Sequence, residues 1–133
     1  MMTEFAFTET VDVRYQDHDT MGHVNNAVYV TYMEQARFAY LTDGIGRAPT
    51  DLDMVVVNLS VDFNRPVEFA DTVTVGASIT HVGDTSFTMA YEVRDDDGVV
   101  ATGETVQVAL DPDTGQPRSV PDDWRRAIDA IEA

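Results

Sequence analysis

Residues 25 to 44, NNAVYVTYMEQARFAYLTDG, constrain the fold more than any other stretch. Tyr29, Tyr32, Met33, Ala36 and Tyr40 recur at helical spacing, and Val28, Val30 and Phe38 carry the apolar surface most of the way around. Only a strip at Thr31, Glu34 and Gln35 reads as wet, so other structure must enclose this helix, which Gly44 stops. The enclosing material is β-rich. TETVDVRY at 8 to 15 alternates, with Val11, Val13 and Tyr15 on one face. After the helix come MVVVNLSVDF (54 to 63), DTVTVGASITHV (71 to 82), SFTMAYEVR (86 to 94) and VVATGETVQVAL (99 to 110), all rich in β-branched residues. Gly83-Asp84 and Asp97-Gly98 give the last three the turn chemistry of an antiparallel meander. Pro121 followed by Asp122 and Asp123 marks a second helix start, with Trp124, Ile128 and Ile131 as its apolar stripe. The expected architecture is α+β: a five-stranded antiparallel sheet wrapped around one long central helix, with a short C-terminal helix. A single domain over residues 1–133 is expected, its core at about 8–110 and a C-terminal extension at 111–133. Such a sheet leaves an edge strand open, and pairing with a second copy covers it, so a homodimer at least is expected.

Composition excludes several classes. A hydrophobic fraction of 44% is too high for a disordered chain, and apolar runs such as MVVV at 54 to 57 are too short to span a membrane. MMTEFAFTET has no basic region of a targeting signal, which makes a cytoplasmic location the expectation. There is no cysteine, hence no disulfide, thiolate metal site or thiol nucleophile. Against 24 acidic residues stand 8 basic ones, all arginine, for a formal net charge of -16. Such a chain repels nucleic acid and anionic membranes. Seventeen aspartates without one lysine read as adaptation to a high-salt cytoplasm, the plainer alternative being an acidic domain of ordinary habitat.

Chemistry concentrates in DHDTMGHVNN, residues 17 to 26. Asp17, Asp19 and Gly22 fit positions one, three and six of a calcium loop, but Met21 and Val28 fall where side-chain oxygens are needed. His18, Asp19 and His23 lack the spacing of a helical transition-metal site, so no metal is expected. The segment is also ordinary loop chemistry before a helix, with Asn25 or Asn26 as its N-cap. Against that plain reading stands the placement of an aspartate beside the first backbone N–H groups of a mostly buried helix, a plausible hydrolytic pair.

Residues 13 to 37, VRYQDHDTMGHVNNAVYVTYMEQAR, closely resemble the signature of hot-dog fold acyl-CoA thioesterases of the 4-hydroxybenzoyl-CoA thioesterase type: an aromatic residue, D-x-D-x-x-G, H-V-N-N-x-x-Y, then E-x-A-R in the long helix. VDFNRPVEFADTVTV looks like that family's next recurrent segment, and the resemblance covers about residues 8 to 110. It implies hydrolysis of an acyl-CoA to free acid and CoA without a cofactor. The second aspartate, Asp19, is then the catalytic carboxylate, attacking the thioester carbonyl or activating water. Both routes need an ionised carboxylate, which the positive end of a helix favours. Backbone N–H at about Asn26 would hold the thioester oxygen, and Gly22 would allow close backbone approach. Asp17, one step back, reads as structural. His23, Asn25 and Asn26 position acyl group or water, or only cap the helix; Tyr29 lines the acyl pocket or belongs to the core. Family sites lie at a dimer interface, which would bring Asn58 and Ser60 from a second subunit, within a homodimer or dimer of dimers. For the phosphates of CoA the chain offers only Arg65, Thr85 and Ser86 beside His81, leaving open a carrier-protein thioester or a non-catalytic acyl-binding role.

Overall fold

The computed structural model describes residues 5–46, 53–67 and 72–133. Its five strands are β1 (Phe7–Asp12), β2 (Met54–Phe63), β3 (Thr72–Val82), β4 (Ser86–Asp95) and β5 (Gly98–Ala109). The helices are α1 (Asn26–Ala39), running on into a π turn at Tyr40–Gly44, and α2 (Asp122–Glu132). All strand pairs are antiparallel and the sheet order is β1-β3-β4-β5-β2, so β3, β4 and β5 form the expected meander and β2 is an edge.

β1 is shorter than its alternation suggests. The pattern predicts Tyr15 on the inner face with Val11, yet Val11 is buried while Tyr15 is 93% exposed. The chain leaves the sheet after Asp12 and tightens into a 3-10 turn at Tyr15–Asp17, which the first half of the loop motif needs to reach α1.

The anticipated apolar face of α1 is the one that packs. Tyr29, Tyr32, Met33, Ala36 and Tyr40 are all buried, in one cluster with Val75 and Ala77 of β3 and Phe87, Met89 and Tyr91 of β4. Contact is close at Gly103 of β5, where a Cβ would lie 2.6 Å from Met33 Sδ, so a larger residue there would force the Met33 side chain to move. The extension beyond residue 110 contributes to the same cluster through Val120, Trp124 and Ile128. Burying these three anchors is worth roughly 1.5–3 kcal/mol each.

β2 is only half covered. Register with β5 places Leu59, Val61 and Phe63 opposite Thr105, Gly103 and Ala101, on the side facing α1. Nevertheless Leu59 and Phe63 are each 46% exposed, Val57 57%, and Phe38 on α1 48%.

Candidate active site

The loop between β1 and α1 is held by a buried carboxylate. Asp17 is 1% exposed; its Oδ2 accepts the Arg14 backbone N–H at 2.8 Å and the Tyr32 hydroxyl at 2.7 Å, and its Oδ1 accepts Arg14 Nε at 3.1 Å and Nη2 at 3.0 Å. Burial pushes this carboxyl up, but the Arg14 amide, the Tyr32 hydroxyl and the Arg14 guanidinium together outweigh it and hold it below its ordinary value. Burial, together with that same hydrogen bond, pushes the Tyr32 phenol well up. The backbone carbonyl of Asp17 accepts Asn25 N–H at 2.8 Å, so one residue ties the loop to both the body and the start of α1.

Asp19 sits at the tip. Its amide donates to the His23 carbonyl at 2.7 Å and its own carbonyl accepts Gly22 N–H at 3.1 Å, closing a tight turn in which Gly22 takes φ +77°, a conformation that favours glycine. The Asp19 side chain is exposed, with Oδ1 accepting Met21 N–H at 2.8 Å and His23 N–H at 3.2 Å. These bonds orient the carboxylate and keep it at the surface.

Asn25 is the N-cap of α1: its Oδ1 accepts Ala27 N–H at 2.9 Å and its carbonyl accepts Val28 N–H at 2.9 Å. The Asn26 N–H, first in the helix, donates to no acceptor among the described residues. Asn26 also lines a cavity of about 270 Å³ with Tyr29, Phe63, Asn64, Arg65 and Pro66. Just beyond Pro66, two bonds tie the chain to the start of α1: Val24 N–H to the Val67 carbonyl at 3.0 Å, and Val67 N–H to the Tyr29 hydroxyl at 3.1 Å.

Thus the residues expected on the loop, Asp19, Gly22, His23, Asn25 and Asn26, occupy one turn and one helix start, and Tyr29 and Arg65 join Asn26 at the cavity. Four others do not meet them in one chain. Asn58 and Ser60 pair with Val106 and Glu104, which puts them on the face of β2 opposite Leu59 and Phe63, since strand alternation has a period of two. Thr85 and Ser86 lie at the start of β4, whereas Asp95, beside Arg65, ends it; ten residues of strand separate them by about 30 Å. Arg65 is not a free cation either. Both of its terminal nitrogens donate to the Asp95 carboxylate, one of them also reaching the Gly98 carbonyl, and this guanidinium holds the Asp95 carboxyl below its ordinary value. Phe63, Asn64, Pro66 and Asp95 were not singled out from sequence; the only signal is the break NRP directly after an apolar strand. Among the described residues no three His, Cys, Asp or Glu side chains gather as a metal site.

A carboxylate on a surface turn, and an open amide at a helix start whose residue lines a cavity, suit attack on a carbonyl. The model of the thioesterase superfamily matches residues 21–102. The chain belongs to that superfamily. It is a thioester hydrolase with the hot-dog fold. A thioesterase from Thermus thermophilus, solved in complex with coenzyme A and zinc, is 36% identical, covers 98% of this chain and 97% of its own, and superposes with a TM-score of 0.89. A predicted thioesterase from Bacillus stearothermophilus is 29% identical with a TM-score of 0.85, covering 96% of each chain. The long-chain acyl-CoA thioesterase FadM of Escherichia coli (strain K12) is 23% identical over 130 residues, 91% of this chain and 96% of FadM.

Proposed function

We propose that this member of the superfamily hydrolyses acyl-CoA thioesters, with Asp19 as the catalytic carboxylate and the Asn26 amide as the oxyanion donor. The open Asn26 N–H beside the cavity carries this reading, because an oriented donor with no partner gains most when charge develops on a substrate oxygen. Asp19 attacks the carbonyl carbon or takes a proton from water that does so. The electron pair displaced from the C=O bond settles on the oxygen at Asn26, and its return expels CoA as the thiolate; on the direct route this leaves an acyl-aspartyl anhydride, which water then cleaves to free acid and the Asp19 carboxylate. CoA binding in the Thermus relative supports the choice of thiol carrier. The pairing of Arg65 with Asp95 favours a second reading, a carrier-protein thioester, since that guanidinium is already neutralised.

A second chain completes the molecule by pairing along β2, covering Val57, Leu59, Phe63 and Phe38. The net charge of -16 without lysine fits work in a salt-rich cytoplasm. No described helix is long and apolar enough to cross a membrane.

Release of free CoA from a panel of acyl-CoA substrates, measured with purified protein at low and high salt, tests the proposal. Turnover of at least one substrate, faster at high salt, is expected. Tight acyl-CoA binding without release on any substrate would instead identify a binding module.

A further inference from the structure

The thioesterase mechanism uses the Asn26 amide but not the other donor of the cavity, the Tyr29 hydroxyl. Tyr29 is 1% exposed. Its oxygen accepts Val67 N–H at 3.1 Å, and its own proton has no acceptor among the described residues. A phenol so buried ordinarily has its O–H bonded. Tyr29 is one turn beyond Asn26 on α1, and helical side chains lean back toward the N-terminus, so the hydroxyl lies on the inner side of the point where the thioester oxygen would bind. The nucleotide end of a CoA thioester is large and charged and must leave toward solvent. The inner side therefore receives the acyl group.

Charge narrows the class further. Arg65 also lines the cavity, but the bidentate pair with Asp95 cancels its charge, and both groups act on the Tyr29 phenol in opposite senses. Here a carboxylate would find no net positive partner. A neutral oxygen would find a donor.

Resting on the acyl-thioester reading, we propose that Tyr29 is a specificity-determining residue whose hydroxyl donates to a neutral oxygen on the acyl group, so that hydroxy- or oxoacyl thioesters are preferred over plain alkyl ones. The test is kcat/KM for 3-hydroxybutyryl-CoA against butyryl-CoA. The wild-type ratio favours the hydroxylated substrate by about tenfold, and Tyr29→Phe brings it to within about twofold of unity. Loss of the Val67 acceptor in that variant slows both substrates alike and cancels in the ratio. A second variant, Asp95→Asn, frees the Arg65 charge and raises turnover of succinyl-CoA relative to neutral 4-oxopentanoyl-CoA by about tenfold. A ratio near unity in the wild type, or one unchanged in Tyr29→Phe, overturns the role of Tyr29; an unmoved succinyl preference in Asp95→Asn overturns the argument from charge. Failure of the wild type to release CoA from any of the four substrates overturns instead the acyl-CoA reading beneath it.

Discussion

The two ends of α1 treat their polar groups in opposite ways. At its start Asn26 N–H and Tyr29 O–H are left without acceptors among the described residues, beside a cavity. At its end Tyr40, 0% exposed, donates to Glu132 Oε2, which also accepts Ile79 N–H at 2.9 Å, and Trp124 and Ile128 of α2 close the core. Arg125 adds bonds to the carbonyls of Gly83 at 2.7 Å and Asp84 at 2.9 Å. One end is therefore a finished joint and the other an unfinished one. The Tyr29 O–H is a buried donor whose open proton costs stability, whereas the Asn26 N–H faces solvent; a substrate bound at this end would serve both.

Breaking the scaffold of the open end should have the largest effect. Asp17→Ala leaves the Tyr32 hydroxyl and the Arg14 amide without their acceptor. Because Arg14 is 60% exposed, the stability loss is about 2–3 kcal/mol, below that of a fully buried pair, while the displaced turn lowers kcat about 100-fold. Urea unfolding and steady-state kinetics on one preparation check both. Stability lost with kcat intact would mean that Asp17 does not position Asp19.

Cutting the closed end should separate the two properties. Glu132→Ala removes the acceptor shared by Tyr40 and Ile79 and costs about 2 kcal/mol, with kcat unchanged. A large fall in kcat for this variant would show that the ends are not independent.

Acid should loosen the open end in a defined window. The Asp17 and Asp95 carboxyls both lie below the ordinary 3.8, so the unfolded chain binds more protons than the native one as pH falls past that value. Their stabilisation is complete above that value and is lost below it, toward the folded pKa. Stability measured between pH 5 and 2.5 should therefore fall less steeply in Asp17→Asn than in the wild type. Identical slopes would remove Asp17 as a source of acid lability.

The contrast was only partly visible in sequence. The apolar periodicity of α1 and the alternation of β3 to β5 are local signals strong enough to set fold and order, and D-x-D-x-x-G with H-V-N-N marked the loop. The cavity was not legible, because its lining residues Asn64 to Pro66 are brought to α1 beside the Val24–Val67 and Tyr29–Val67 bonds, between segments about 40 residues apart. Asp95 escaped notice for the same reason, since turn chemistry explains an aspartate in Asp95–Gly98 without its distant Arg65. Thr85 and Ser86 were grouped with the site by residue type, and only strand length shows them at the other end of the sheet.

The central claim is that the exposed Asp19 carboxylate performs the chemistry while others hold it. It is tested most directly by kcat of Asp19→Asn on the best acyl-CoA substrate, with the thermal midpoint read on the same sample. Loss of about a thousandfold in kcat with the midpoint within about 2 °C of the wild type is the predicted result. Unchanged kcat in a folded Asp19→Asn protein would contradict it.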